Sequence, residues 1–222
     1  MRMKTLPAEI ERESFSIIRE ELRARGVIPA AENETVILRC IHASADFDYA
    51  ENLRFTPDAV RQGVDAIRNG TPIVTDTNMA KAGVSRAGLR KFGGEVFCFM
   101  AEPFIAEQAR NDGSTRAAAA MNHAAGLYPQ AVYAVGNAPT ALFTLEEQIR
   151  NGLRPSLIIG APVGFVNVVE SKERILRVCR QYEIPAIVAA GRKGGSSIAA
   201  AICNALIYTA ADMLDPAERG WN

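Results

Sequence analysis

The spacing of apolar positions changes character along this 222-residue chain. Over residues 7–24, Ile10, Phe15, Ile17, Ile18 and Leu22 recur at helical intervals, which predicts a helix entered at Pro7. Ser14 falls between Ile10 and Ile18 on that stripe. A hydroxyl on a face that reads as buried needs a partner, most often a backbone carbonyl and otherwise a ligand. Residues 32–43 read as a second helix through Val36, Ile37, Cys40 and Ile41. Residues 57–69 read as a third, opened by Thr56-Pro57-Asp58. From there the pattern becomes short apolar runs at 72–75, 95–100, 131–135, 156–159 and 186–190. The helical segments between and after them are 80–92, 102–124, 138–152, 169–181 and 195–209. Five strand-then-helix units in succession predict an α/β fold: a central, mostly parallel five-stranded sheet with helices on both faces, preceded by N-terminal helices. Crossovers in such a sheet are right-handed, and functional groups gather at the carboxyl ends of its strands.

Those strand ends carry the polar and glycine-rich parts of the chain. The runs lead into Thr75-Asp76-Thr77-Asn78-Met79, Gly136-Asn137-Ala138-Pro139-Thr140, Gly160-Ala161-Pro162-Val163-Gly164-Phe165 and Gly191-Arg192-Lys193-Gly194-Gly195-Ser196-Ser197. Tight turns between strand and helix call for glycine on backbone grounds alone. Four such loops on one sheet edge, with free N–H groups at the helix starts, favour a cleft that binds an anionic ligand.

Composition narrows the classes. Lys plus Arg and Asp plus Glu both number 25, so no global field draws the chain to nucleic acid or to an anionic membrane, and no basic stripe with interleaved aromatics is present. No stretch approaches the ~18 apolar residues of a membrane span, and Met1–Pro7 lacks an apolar signal core. Cys40, Cys98, Cys179 and Cys203 form no CxxC pair, so neither a disulfide framework nor a zinc site is expected. A single cytoplasmic domain spanning 1–222 is the expectation, with a core at about 7–209 and a short polar tail at 210–222. The phosphate loop GxxxxGK[ST], the dinucleotide fingerprint GxGxxG, the GxSxG elbow and HExxH are all missing. Ser85 reads as a helix N-cap.

Only two histidines occur, His42 and His123. Imidazole is the one side chain with an unperturbed pKa near neutrality, about 6.5. His42 sits in Arg39-Cys40-Ile41-His42-Ala43-Ser44-Ala45-Asp46-Phe47-Asp48, three residues after Arg39 and so on the same helix face. A histidine on an amphipathic helix is commonly packing or surface; its arginine and aspartate neighbours make it an acid–base candidate. His123 has no motif around it and reads as surface or structural.

Separated blocks, in order, resemble the precorrin-8X methylmutase and cobalt-precorrin-8 methylmutase family. They are Glu13-Ser14-Phe15, Arg39-x-Ile41-His42, Asp76-x-Asn78-Met79, Thr115-Arg116-Ala117-Ala118, Gly136-Asn137-Ala138-Pro139-Thr140-Ala141-Leu142, Gly160-x-Pro162-Val163-Gly164-Phe165-Val166, Glu170-Ser171-Lys172 and Gly191-Arg192-x-Gly194-Gly195-Ser196. The resemblance spans roughly residues 7–209. It implies a flavodoxin-like three-layer α/β sandwich acting as a homodimer with the site near the subunit interface. It implies an isomerase that moves a methyl group from C-11 to C-12 of a tetrapyrrole in cobalamin biosynthesis. Such an isomerisation needs no redox cofactor, methyl donor or metal held by the protein; any cobalt arrives with the corrinoid substrate. His42 takes the catalytic position. Ser14, Arg39 and Arg116 fall where substrate contact is expected, and Asp76, Asn78 and Asn137 match motif positions. Lys193 is a weaker substrate-binding candidate, since the family varies there and a loop lysine is commonly just solvated. The segment after His42, with Gly191-Arg192-Lys193-Gly194-Gly195-Ser196, resembles the cobalt-containing branch more than the metal-free one.

The chemistry fits those residue types. A methyl shift in a conjugated ring is eased by a proton or hydrogen bond at a ring nitrogen, which calls for one acid with a pKa near the working pH. Arginine forks suit the substrate's acetate and propionate groups. The alternative from the same glycine-bearing strand ends is a non-catalytic tetrapyrrole- or nucleotide-binding module.

Overall fold

The computed structural model describes residues 6–220. Met1–Thr5, within the stretch read as lacking a signal core, and Trp221–Asn222, at the end of the polar tail, lie outside the described residues. In chain order the elements are α1 (Pro7–Ala24), α2 (Glu34–Ser44), α3 (Tyr49–Asn52), β1 (Leu53–Phe55), α4 (Ala59–Arg68), β2 (Ile73–Thr75), α5 (Asn78–Gly83), α6 (Arg86–Arg90), β3 (Val96–Phe97), α7 (Pro103–Asn111), α8 (Arg116–Leu127), β4 (Val132–Val135), α9 (Pro139–Arg150), β5 (Leu157–Gly160), α10 (Val168–Gln181), β6 (Ala186–Ala189) and α11 (Ser196–Ala210). A 3-10 turn, Pro216–Arg219, follows.

The sheet has six strands, not five, in the order β1-β6-β5-β4-β2-β3. All neighbours are parallel except β1, which runs antiparallel to β6 with Leu53 opposite Ala189 and Phe55 opposite Ile187. The sequence hides β1 because it is three residues long and only Leu53 is fully buried, so no alternation can be read. Its pairing is tertiary: Thr56 Oγ1 accepts from the Ala186 N–H at 2.8 Å, pinning the strand's end to β6.

Alternate strand residues feed two cores. Ile73, Val132, Ala134, Leu157, Ile159 and Ile187 face one side, against α2, α4 and α11. Val74, Tyr133, Val135, Ile158 and Val188 face the other, against α8, α9 and α10. Burial on both faces is what near-continuous apolar strands demand.

Two long predicted helices are each broken in two. The expected 102–124 helix stops at Asn111; Gly113 takes a left-handed φ of 60°, and Thr115 caps a new helix by accepting from the Ala118 N–H at 3.1 Å. The expected 80–92 helix becomes α5 and α6. Thr77 caps the first and Ser85 the second, the latter as read from the sequence. The α1 stripe is also rotated from the predicted one. Ile10 and Ile17 are each 48% exposed, whereas the buried face carries Ala8, Glu11, Ile18 and Leu22. A carboxylate thus lies where an isoleucine was expected.

Candidate active site

The buried Glu11 explains the surroundings of Arg39. Arg39 Nη1 donates to Glu11 Oε1 at 2.6 Å, and Arg219 Nη2 lies 2.8 Å from the same oxygen. A buried carboxylate is tolerated only when paired in this way. Although burial raises its pKa, the hydrogen bonds and charge of Arg219 and Arg39 prevail and hold it below the usual carboxylate range. The Arg39 guanidinium also sits over the Phe15 ring, 4.7 Å from its centroid, and Phe15 stacks on His42 with centroids 5.0 Å apart and ring planes 26° apart. His42 ends this series on the exposed surface. Arg39 is therefore an interior ion-paired residue beneath the imidazole, not an open arginine fork; its Nε has no hydrogen-bond partner among the described residues. Ser14, next to Phe15, is half-buried and donates to the Ile10 carbonyl at 2.8 Å, the backbone partner that its position in a helix makes commonest.

The imidazole leans toward its neutral form. Partial burial lowers its pKa below 6.5, Glu11 pulls it back up, and the positive charges of Arg39 and Arg219 push it down again.

Beyond α2 the chain turns at Ala45 (φ 53°) and presents Asp46 and Asp48. Lys193, from the loop after β6, bridges them: its Nζ lies 2.7 Å from Asp46 Oδ2 and 2.6 Å from Asp48 Oδ2. Its amine is thus engaged by two aspartates, and its pKa is raised by these hydrogen bonds.

The same loop is set from below by Lys172, a residue for which the sequence suggested no role beyond its place in the Glu170-Ser171-Lys172 block. Lys172 is 1% exposed, and its Nζ donates to the carbonyls of Gly191 at 2.8 Å and Lys193 at 2.7 Å. Its sequence signal is helical phase: on α10 it falls with Val168, Ser171, Ile175 and Cys179 on the buried face. Gly194 then packs flat on β5's end. A side chain there would collide with the carbonyl oxygens of Ala161 and Pro162, so only glycine fits.

Burial pushes the Lys172 amine from 10.5 to about 8. Between those two values the unfolded chain binds more protons than the folded one, so this lysine's contribution to stability rises with pH across that window. Urea unfolding of wild type and Lys172→Met at about pH 7 and about pH 9.5 is expected to show the difference moving in favour of wild type by ~1–2 kcal/mol. An unchanged difference would mean that the amine keeps its proton in the fold.

Further along the edge, the loops are clasped by side chains. Ser196, at the start of α11, shares a 2.7 Å hydrogen bond with Thr77. Asp76 is fully buried, and its carboxylate accepts from the N–H groups of Gly136, Asn137 and Ala138, each at 2.8 Å. Burial pushes its pKa up while those three bonds pull it down. The structure thus places Asp76 inside the protein, holding the turn that starts α9. Asn78 and Asn137 lie exposed on either side of this clasp. Arg116 is exposed at the first position of α8, tied to the same region by a 2.7 Å hydrogen bond between Thr115 and Thr140. His123, read as surface or structural, meets Phe99 and Phe104 edge-on at 5.0 and 4.9 Å.

The candidates fall into two groups on one edge. His42, Arg39, Ser14 and Lys193 lie around α1, α2 and the β6 loop; Asp76, Asn78, Asn137 and Arg116 lie around the ends of β2 and β4. A cavity of 270 Å³ opens beside Phe15 and Arg39, and one of 680 Å³ beside Thr115 and Thr140. Among the described residues, no group of three His, Cys, Asp or Glu side chains is arranged to hold a metal ion.

The model of the family described as CbiC, precorrin-8X methylmutase, matches residues 9–209. The chain belongs to the precorrin-8X methylmutase family. Its role is that of a methyl-shifting isomerase in cobalamin biosynthesis, acting on a corrinoid-type substrate. The cobalt-precorrin-8 methylmutase of Leptospira interrogans is 42% identical over 209 residues, covering 91% of this chain and 93% of that protein. The cobalt-precorrin-8 methylmutase of Salmonella typhimurium is 42% identical over 206 residues, covering 91% and 95%. A solved precorrin-8X methylmutase from Thermus thermophilus superposes with a TM-score of 0.81 at 43% identity, covering 91% of this methylmutase and 98% of that chain. The mixed α/β fold with a mostly parallel sheet is therefore a methylmutase fold. Among the described residues no helix is long and apolar enough to cross a membrane.

Proposed function

We propose that this chain converts cobalt-precorrin-8 to cobyrinic acid by moving the methyl group from C-11 to C-12, with His42 as the proton donor. The observation that carries the reading is the supported imidazole: exposed on one side, stacked on Phe15, and backed by the Arg39–Glu11 ion pair. A proton given transiently to the conjugated ring system withdraws electron density from it, weakens the bond from C-11 to the migrating methyl, and returns to His42 once the methyl has reached C-12. Atoms and electrons balance within the substrate, so no cofactor is required; cobalt travels as part of the substrate. In the free enzyme the imidazole is largely neutral at pH 7. The substrate's carboxylates would favour its protonated form on binding. Arg116, Asn78 and Asn137, all exposed at the neighbouring strand ends, would receive peripheral acetate and propionate groups.

The same reading calls for a second subunit. His42 is not among the residues lining the 270 Å³ cavity, so the ring would lie across the open sheet edge, where Phe165, Val166 and Met79 are 84%, 76% and 73% exposed. A homodimer partner would close the ring in. The five parallel strands run 2-1-3-4-5 when numbered among themselves, which supports the flavodoxin-like description, with β1 added as a sixth. The cobalt form is favoured on the segment after His42 and on Gly191-Arg192-Lys193-Gly194-Gly195-Ser196, since relatives of the two names are about equally similar, 42% for the cobalt-precorrin-8 methylmutases and 43% for the solved precorrin-8X methylmutase.

Incubation with cobalt-precorrin-8 and, separately, with precorrin-8X tests this directly. Ring conjugation changes when the methyl leaves C-11, so the visible spectrum is expected to shift with the cobalt form at the higher kcat/KM. A faster shift with the metal-free form would reassign the substrate. No shift with either, together with saturable FMN or ATP binding, would replace the enzyme reading by a nucleotide-binding module.

A further inference from the structure

The contact series that ends at His42 extends in the other direction, out of the part of the chain that matches the family model. Arg39 Cζ lies 5.1 Å from the Tyr208 ring centroid, and Arg219 Cζ lies 4.6 Å from that same ring. Imidazole, phenyl, guanidinium, phenol and guanidinium thus touch in succession: His42, Phe15, Arg39, Tyr208, Arg219. Glu11 locks the series by receiving both guanidinia on one carboxylate oxygen. The Arg219 side chain is 4% exposed, as buried as the carboxylate it faces. Its backbone is delivered by the 3-10 turn, whose first residue, Pro216, is buried, and which is anchored to α1 by an Arg12–Asp215 pair at 2.6 Å. The family match stops at residue 209, so this last member is supplied by a segment read from the sequence as a polar tail.

We propose that Arg219 is a positioning residue for the methyl shift: folding back from the C-terminal segment, it shares Glu11 with Arg39 and so fixes the Arg39–Phe15 platform on which the His42 imidazole rests. This rests on His42 being the proton donor. Three charged groups on three different elements act on the imidazole: Glu11 from α1, Arg39 from its own helix, and Arg219 from the 3-10 turn. Without Arg219, Glu11 faces a single guanidinium, and the imidazole feels more of its negative charge. Removal of a cation favours imidazolium, so the His42 pKa must then rise.

Histidine-selective isotope labelling gives two imidazole signals, which His42→Ala assigns, and their titration by NMR in ligand-free protein needs no turnover. Arg219→Gln is expected to raise the His42 pKa by several tenths of a unit, to leave His123 unmoved, and to shift the high-pH decline of kcat/KM upward by the same amount. Arg219→Lys, which keeps the charge, should restore most of the wild-type value. Arg219→Met, which removes the charge but keeps an apolar stem against Tyr208, should behave like Arg219→Gln and decides the matter if that variant proves unstable. A His42 titration that is unchanged in folded Arg219→Gln or Arg219→Met overturns the proposal. A shifted titration with an unmoved activity profile supports the positioning of the ring but overturns His42 as the proton donor.

Discussion

Replacing His42 by alanine is expected to lower kcat by ~10²–10⁴-fold, the range that a positioned acid or base supplies. The melting temperature should change little, because the ring lies at the exposed end of its series and gives up only the stacking contact with Phe15. The pH dependence carries the same information with a definite sign. Burial, opposed by Glu11 and reinforced by Arg39 and Arg219, keeps the free-enzyme pKa below 6.5. A proton donor must hold its proton, so kcat/KM should fall as pH rises through that lowered value. In kcat the fall should come at higher pH, because bound substrate carboxylates favour the imidazolium. The visible spectrum of the converting substrate reads both. A His42→Ala enzyme at wild-type rate, or a kcat/KM flat across neutrality, would remove the imidazole from the chemistry.

Asp76→Ala has the largest expected effect on stability, about 3–5 kcal/mol in urea unfolding. Three backbone N–H groups lose their acceptor at once, and each such loss costs roughly 1–3 kcal/mol, with water recovering part where it can enter. Asp76→Asn keeps one acceptor oxygen and should recover a fraction of the loss. The damage should spread to the Gly136–Ala138 turn and the first turn of α9, which the carboxylate holds together. KM for substrate should move less than stability does. A variant of wild-type stability with a strongly raised KM would instead mark Asp76 as a ligand-binding group.

How far the sequence could be read follows from the reach of each interaction. The parallel strands and their helices were legible because period and strand–helix alternation are local. Gly136 needed glycine because any side chain would meet Ser196 Cα at 2.7 Å, yet the sequence shows only that a glycine stands there, not which backbone approaches it. β1 escaped because its pairing with β6 joins residues far apart in the chain and has too few positions to show a pattern. Glu11 escaped because a carboxylate on a helix face reads as exposed unless its partners, Arg39 and Arg219, are known. Lys172 escaped for the same reason: its carbonyl partners lie in a loop about twenty residues on. Around His42 the sequence could name the residues but not their connection. Arg39 and His42 share a helix face, which spacing reveals; that Phe15 lies between helices to join them is a fact of packing.

The Asp76 clasp decides what the sheet edge can still accept. β2 and β4 are adjacent strands whose successors, β3 and β5, pair on opposite sides, and in open parallel sheets a ligand commonly lodges where the order reverses in this way. In this chain an internal carboxylate already occupies the amide groups at the mouth of α9, the seat that a mononucleotide's phosphate would take elsewhere. The protein has furnished its own permanent acceptor for that berth. A visiting molecule is turned outward, across the tips of the strands, where a broad flat ring has room that a narrow crevice would deny it.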